Sequence, residues 1–227
     1  MPTVGVLTIG QSPRFDALGA EVAAVLGAGF DLVERGALDG LTAAEVEALA
    51  PGPDDQLLVT LLSDGRSVDV GKERILPLLQ RQLQLLEEED GVAATLLVCS
   101  GPFPAFRHCR PLVQPQAALY GAVLALAGGG PVAAMLPEPA QFEWSRREWR
   151  RSGVAEPVLV AAEPYQADAH TAVAAAAGDA RERGGAVLYL DCFGYDASMR
   201  EAARAAFGGP VVLARSLAAR VLAEVAT

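Results

Sequence analysis

Residues 94–101, Ala94-Thr95-Leu96-Leu97-Val98-Cys99-Ser100-Gly101, and residues 187–194, Val187-Leu188-Tyr189-Leu190-Asp191-Cys192-Phe193-Gly194, are built alike. Each is a short, mostly apolar run without polar alternation, closed by a cysteine with a glycine two residues later. A strand covered on both faces reads this way, because neither face meets water, and such strands belong to parallel sheets flanked by helices. Comparable runs are Val4–Leu7, Phe30–Glu34, Gln56–Leu62, Val132–Leu136, Pro157–Val160 and Pro210–Leu213; the two opening runs predict strands over Ala94–Val98 and Ala186–Leu190.

Segments of 3.6-residue periodicity lie between these runs: Phe15–Leu26, Ala43–Leu49, Glu73–Glu88, Gln114–Leu126, Gln141–Arg151, Asp168–Arg183, Ala197–Phe207 and Ser216–Ala226. Thr42 with Glu45 three residues on is a capping box for the second of them. In the third, Ile75, Leu76, Leu79, Leu83 and Leu86 form an apolar stripe, with Pro77 in the early turns, where its missing N–H costs less. Strands alternating with helices on this scale predict βα units with right-handed crossovers. No helix survives Gly128-Gly129-Gly130-Pro131, so the chain breaks there. On either side the plan is the same: a strand, a polar turn rich in glycine or proline, helices, then a strand ending in cysteine.

Composition narrows the function. The chain has 227 residues, 52% of them hydrophobic and 20% charged, so a large core is available and disorder is not expected. A net charge of −10 argues against a sequence-independent grip on nucleic acid or an anionic membrane. The arginines of Arg146-Arg147-Glu148-Trp149-Arg150-Arg151 are too few to reverse that. Three cysteines are no disulfide framework, and two histidines without Cys-x-x-Cys or His-x-x-x-His spacing give no zinc site. A metal site is not expected. Neither Gly-x-Gly-x-x-Gly nor Gly-Lys-Ser/Thr occurs, so no nucleotide loop is indicated, and there is no Gly-x-Ser-x-Gly elbow. Met1-Pro2-Thr3 runs into an apolar strand with no basic leader, and no apolar stretch reaches the length of a membrane span. The expectation is a protein of the reducing cytoplasm, with its thiols kept reduced.

In parallel α/β sheets ligands bind beyond the carboxyl ends of the strands. The residues there are Thr8, Gln11, Ser12 and Arg14 after the first run, Thr60 and Ser63 with Arg66 around the third, Cys99, Ser100 and Gly101 after the fourth, Glu138 after Leu136, and Asp191, Cys192, Phe193, Gly194 and Tyr195 after the run ending at Leu190. A thiol beside a turn that presents backbone N–H groups has its thiolate stabilised by those donors, and the same donors can hold a carboxylate. The plainer reading is that each cysteine only fills space, as buried cysteines often do. Arg14 could grip a carboxylate bidentately or simply pair with Asp16. Cys109 and His108 lie in a basic, proline-limited segment away from any strand end. Lys72 and His170 read as surface residues near helix starts.

The stretches Gly5-Val6-Leu7-Thr8-Ile9-Gly10-Gln11-Ser12-Pro13-Arg14, Leu58-Val59-Thr60-Leu61-Leu62-Ser63-Asp64-Gly65, Leu97-Val98-Cys99-Ser100-Gly101, Leu188-Tyr189-Leu190-Asp191-Cys192-Phe193-Gly194 and Pro210-Val211-Val212-Leu213-Ala214-Arg215-Ser216 together resemble the AroM family. That family is in turn similar to the aspartate/glutamate racemase superfamily, with its hydantoin racemases, maleate isomerases and arylmalonate decarboxylases. The resemblance implies two pseudo-symmetric α/β domains, each a parallel sheet flanked by helices, with the active-site cleft between them. One would hold residues 1–103 plus 210–227 and the other residues 104–209. It also implies one catalytic cysteine per domain, Cys99 and Cys192, and no cofactor. Cys99-Ser100-Gly101 stands where the superfamily has a Cys-Asn-Thr-like turn, and Cys192-Phe193-Gly194 where it has Gly-Cys-Thr. Gln11-Ser12 replaces an Asp-Ser pair, so an α-amino group would lack its usual acid partner.

Three functions are compatible with these residues. In the first, one thiolate removes a proton from a carbon next to a carboxylate or carbonyl, and the other thiol delivers a proton to the opposite face, making the protein a racemase or isomerase. The same groups would also serve a decarboxylase or lyase. The second is a non-catalytic binding protein for a small carboxylate or aromatic-pathway metabolite. The third is an interaction protein using the apolar helices Gln114–Leu126 or Ser216–Ala226, one of which could also form a homodimer face alongside either of the others.

Overall fold

A computed structural model describes residues 1–226; Thr227, included in the sequence-based range of the first domain, lies outside the described residues. The elements in order are β1 (Thr3–Thr8), α1 (Leu18–Leu26), β2 (Asp31–Gly36), α2 (Ala43–Glu47), β3 (Leu57–Leu61), β4 (Ser67–Gly71), α3 (Lys72–Glu88), β5 (Ala94–Leu97), β6 (Leu112–Val113), α4 (Gln116–Ala127), β7 (Val132–Leu136), α5 (Phe142–Arg151), β8 (Val158–Ala161), α6 (Ala169–Glu182), β9 (Val187–Leu190), α7 (Ala197–Phe207), β10 (Val211–Leu213) and α8 (Ala214–Val225), with a 3₁₀ turn over Pro139–Gln141. The chain divides into two compact units, residues 1–115 with the chain from 218 onward, and residues 116–217.

The first unit is built on a parallel sheet of order β2-β1-β5-β6. Leu7 of β1 and Leu97 of β5 are register partners, and both sit in one core with Ile75, Leu79, Leu83 and Leu86 of α3. Leu76, part of the stripe expected from periodicity, is only half-buried at the stripe's margin. The capping box forms as its spacing predicts: the Glu45 N–H donates to Thr42 Oγ1, and the Thr42 N–H donates to the Glu45 carboxylate at 2.8 Å. α1 begins at Leu18 rather than Phe15, because Ala17 takes a left-handed φ of 53° that a helix cannot continue through.

One strand departs from the parallel plan. β3 pairs antiparallel with β4 in a separate two-stranded ribbon around Ser63-Asp64-Gly65-Arg66, where Gly65 adopts φ +85°. Only a short turn separates them, too short for the crossover that a parallel pair requires. β4 and the two-residue β6 carry too little pattern to stand out as strands in the sequence.

The second unit repeats the first unit's sheet: the order β8-β7-β9-β10 is parallel throughout. β7 corresponds to β1, β8 to β2, β9 to β5 and β10 to β6. On one face Ala169, Val173, Ala177 and Ala180 of α6 pack with Met199, Ala203 and Phe207 of α7, the alanines allowing close helix approach. A second cluster holds Tyr120 of α4 stacked on Trp149 of α5, with ring centroids 3.8 Å apart, and Tyr189 of β9 edge-on to both at 6.1 Å. α7 is capped by Asp196, whose carboxylate accepts the Met199 N–H at 2.8 Å, and ends at Gly208 with φ 67°. No helix among the described residues is long and apolar enough to cross a membrane.

Candidate functional site

The carboxyl end of β1 organises the polar residues of the first unit. Thr8 is buried, and its Oγ1 accepts the Gly10 N–H at 3.3 Å. Gly10 has to be glycine: a Cβ there would lie 2.3 Å from the Leu61 carbonyl oxygen and 2.4 Å from Thr60 Oγ1. This close approach brings the β1 loop against the β3–β4 ribbon. Gln11 then spans the two: its N–H reaches the Leu61 carbonyl at 3.1 Å, its Oε1 accepts the Ser63 N–H at 2.9 Å and the Ser63 hydroxyl at 3.1 Å, and its Nε2 donates to the Leu38 carbonyl at 3.3 Å. Thr60 Oγ1 is buried without a hydrogen-bond partner among the described residues.

Ser12 is held by a residue the sequence does not single out. The Asp39 carboxylate accepts the Ser12 N–H at 2.7 Å, the Ser12 hydroxyl at 2.6 Å and the Gly36 N–H at 2.7 Å. Arg14 is buried, and its guanidinium is engaged bidentately by Asp16 at 3.0 and 2.8 Å. The backbone N–H of Arg14 donates to Glu34, whose half-buried carboxyl is pushed above its usual range by desolvation. Thr8, Gln11, Ser12, Thr60 and Ser63 are thus gathered at one loop junction, with Arg14 turned to its own neighbour. Arg66 likewise pairs with Asp64 at 2.7 Å. Lys72, read as a surface residue, is half-buried, with Nζ 3.1 Å from Gln56 Oε1 and 5.2 Å from the centre of the Phe103 ring.

Cys99 follows β5 by two residues and is half-buried against the core that contains Leu7 and Leu97. Its N–H folds back on the Leu97 carbonyl at 3.0 Å, ending the strand; Ser100 is half-buried and Gly101 buried. Cys192 follows β9 by the same two residues and is also half-buried. The correspondence holds at the level of single hydrogen bonds. Val98 N–H donates to Leu7 in the first unit, and Asp191 N–H donates to Met135 in the second, each at 2.9 Å. None of the three cysteines is disulfide-bonded.

Around Cys192 the turn is shaped by long-range contacts. The Gly194 N–H donates to Cys192 Sγ at 3.2 Å. The Phe193 carbonyl accepts Nε and Nη2 of the buried Arg215 at 3.1 and 2.6 Å. A Cβ on Gly194 would lie 2.6 Å from the Tyr165 hydroxyl and 2.7 Å from Pro164 Cγ, so only glycine fits without movement there. Tyr195 is fully buried in the core, its hydroxyl on the Ala162 carbonyl at 2.6 Å. Glu138 is half-buried ahead of the 3₁₀ turn, its carbonyl accepting the Gln141 N–H. Desolvation first, and negative charge nearby second, hold the phenols of Tyr120, Tyr189 and Tyr195 well above the ordinary tyrosine range. Asp191 is the nearby acidic group for Tyr120 and Tyr189, and Tyr195 shares its surroundings with the Cys192 thiol and with Asp191. His170 is exposed, with Nε2 2.7 Å from Ser198 Oγ. Among the described residues no group of three or more His, Cys, Asp or Glu could hold a metal ion.

The residues that sequence reasoning missed are Asp39, Arg215 and Tyr120. Arg215 stands in the Leu213-Ala214-Arg215-Ser216 stretch, but its burial is invisible there. Asp39 and Tyr120 carry no local signal at all.

The AroM protein family model matches residues 4–226. No curated protein matches the chain by sequence. Among solved structures, the aspartate racemase of Picrophilus torridus is similar with a TM-score of 0.62 at 12% identity, covering 100% of this chain and 94% of its own. The allantoin racemase of Pseudomonas fluorescens gives 0.60 at 15% identity over 98% and 89% of the two chains. Unliganded arylmalonate decarboxylase gives 0.63 at 14% over 98% and 93%. At such identities the likeness shows the fold, and the repeated parallel sheets described above are the fold it shows. The chain therefore belongs to the AroM protein family and shares its fold with these two racemases and with arylmalonate decarboxylase.

Proposed function

We propose that this protein is a cofactor-independent isomerase-type enzyme acting at a carbon α to a carboxylate or carbonyl, with Cys99 and Cys192 as its acid and base. The observation that carries the reading is that the two thiols occupy the same position in the two units, two residues beyond corresponding strands and both half-buried. A space-filling role would not require a sulfur at both positions. Contact of the Gly194 N–H with Cys192 Sγ adds support, because an amide hydrogen at the sulfur favours the anionic form that a base needs. The substrate class is a small carboxylate-containing metabolite, and the compartment is the reducing cytoplasm, where both thiols persist.

In the forward step one thiolate takes the α-proton, and the electron pair left on carbon delocalises into the adjacent carbonyl or carboxylate. The other thiol then returns a proton to that carbon, so the two sulfurs end with their protonation exchanged and the reverse reaction restores them. The amides of Ser100 and Gly101 are the groups suited to the developing oxyanion. If the carbanion arises instead by loss of carbon dioxide, the same thiol protonates it, and the product distinguishes the two cases.

The test is isotope exchange. Small α-substituted carboxylic acids are incubated in D₂O with the wild type, Cys99→Ser and Cys192→Ser, and α-deuterium incorporation is followed by NMR. General acid–base groups of this kind contribute on the order of 10²–10⁴-fold, so each variant is expected to lose at least about a hundredfold. Full exchange surviving in both variants ends the reading. A wild type that binds an acid without exchanging or decarboxylating it makes the protein a binder.

A further inference from the structure

We infer that Arg215 is a positioning residue for Cys192, acting through the Phe193–Gly194 peptide. β10 pairs with β9 such that Leu213 lies beside Leu190. Just beyond these two neighbouring strand ends stand Cys192, in the turn after β9, and Arg215, in the first turn of α8. Arg215 is 1% exposed, and its guanidinium donates twice to the Phe193 carbonyl oxygen. That oxygen and the Gly194 hydrogen belong to one peptide unit. The only cis bond among the described residues is Ser12–Pro13, so this unit is trans and its C=O and N–H point in opposite directions. Fixing the oxygen on Arg215 therefore aims the hydrogen at Cys192 Sγ, which lies 3.2 Å from the Gly194 nitrogen. The buried charge also polarises the peptide, making its N–H a stronger donor than an ordinary amide.

The first unit has no counterpart to this arrangement in its sequence. The residues after β6 are Gln114-Pro115, with no arginine two places beyond Val113. Arg215 thus acts on one thiol of the pair, which gives the two cysteines different chemical characters at the same fold position. Other ionisable groups near this turn are Asp191 on the same strand end, Asp196 at the start of α7 with His170 beside it through Ser198, and the phenols of Tyr165, Tyr189 and Tyr195. Apart from the exposed His170 these groups are neutral or negative, and Arg215 is the buried cation of the set.

This inference deepens the acid–base reading of Cys192, but its test needs no substrate and so fails or succeeds separately from isotope exchange. Wild type, Arg215→Met and Arg215→Lys are alkylated with iodoacetamide across the pH range in which thiols titrate, and each cysteine is quantified by peptide mass spectrometry. Arg215→Met is expected to slow Cys192 alkylation at neutral pH about tenfold, the equivalent of one pH unit, and to move its profile to higher pH. Arg215→Lys, with a single point-like donor in place of the fork, is expected to fall between. The exposed Cys109 serves as the internal control and keeps its rate. A merely structural role predicts the opposite sign, since loosened packing would uncover the sulfur and speed its reaction. Should Arg215→Met fail to fold, Arg215→Lys decides alone. A Cys192 profile that does not move, or a rate at or above the wild-type rate, overturns the inference.

Discussion

Val98 and Asp191 occupy the same position of the repeated fold, one as a hydrocarbon and the other as a carboxylate. Each donates its N–H at 2.9 Å to the neighbouring strand, to Leu7 and Met135 respectively, and each is followed by a cysteine. In the second unit this exchange places a buried carboxylate on the strand end, where Asp191 Oδ2 accepts the Tyr120 hydroxyl at 3.4 Å. Tyr120 is held in turn by its stack on Trp149. The symmetry of the backbone is therefore not a symmetry of charge.

Replacing Asp191 tests how much of that cluster depends on the carboxylate. Asp191→Val, which installs the residue found in the first unit, removes the acceptor of Tyr120 and is expected to cost about 1–3 kcal/mol, because the buried Tyr120 hydroxyl is left unmatched. Asp191→Asn keeps an acceptor and should cost less. Chemical denaturation of the three proteins measures the order; equal stability of Asp191→Val and wild type would contradict it.

Alkaline pH should destabilise the protein through its phenols. Tyr120, Tyr189 and Tyr195 have folded-state values raised above the ordinary tyrosine value near 10, by desolvation first and by neighbouring acidic groups second. A raised folded value contributes stability that is fully present below the unfolded value and is lost as pH climbs above it. Stability is thus expected to decline above about pH 10, the unfolded-state value. Ionisation of these three, read by ultraviolet absorbance, should coincide with loss of circular dichroism. Tyrosinate signals for all of the tyrosines appearing in a still-folded protein would refute this.

Asp196 should behave in the opposite sense. Desolvation, the largest single influence, raises its value, but the Met199 N–H, the Ser198 hydroxyl and the charges of Arg215 and His170 together outweigh it, so the folded value lies below the ordinary aspartate value. A lowered folded value contributes stability that is present above the unfolded value and is lost as pH falls through the folded one. Asp196→Ala is expected to cost about 1 kcal/mol at neutral pH, as loss of a helix N-cap does. The difference from wild type should shrink as the pH is lowered below about 4. Thermal melts at neutral and acidic pH provide the check.

Two strand-end glycines are expected to differ in tolerance. A Cβ on Gly10 would strike the Leu61 carbonyl at 2.3 Å, a backbone atom that cannot step aside, whereas one on Gly194 would meet the tips of Tyr165 and Pro164 at 2.6 and 2.7 Å. Gly10→Ala should therefore be destabilised by about 1–3 kcal/mol, and Gly194→Ala by less. Melting temperatures ranking the two in the reverse order would show that the Leu61 contact relaxes easily.

Much of the architecture was legible because it is local. The uninterrupted apolar runs at Val132–Leu136 and Ala94–Leu97 announce doubly covered strands, and the Thr42–Glu45 box announces the start of α2. The ribbon of β3 and β4 was not legible, since Leu57–Leu61 alone reads as one more buried strand and only its pairing across Gly65 reveals otherwise. The start of α1 was misplaced for a similar reason: nothing in Phe15-Asp16-Ala17 shows that Ala17 turns left-handed. Leu76 matched the helical period of α3 yet sits at the edge of its buried stripe, because periodicity sets a face and only packing sets its width.

By itself the sequence determined the class of the fold, the two-part plan around Gly128-Gly129-Gly130-Pro131, and the presence of a cysteine two residues beyond each of two like strands. Only the tertiary structure decided what surrounds those cysteines and the first loop. Ser12 meets Asp39 across 27 residues, Gln11 meets Ser63 across 52, Tyr120 meets Asp191 across 71, and Arg215 reaches back 22 residues to Phe193. Hydrophobic period and turn chemistry act between near neighbours in the chain, so they shape strands and helices. Which polar groups meet at a strand end depends on the order and register in which those strands assemble.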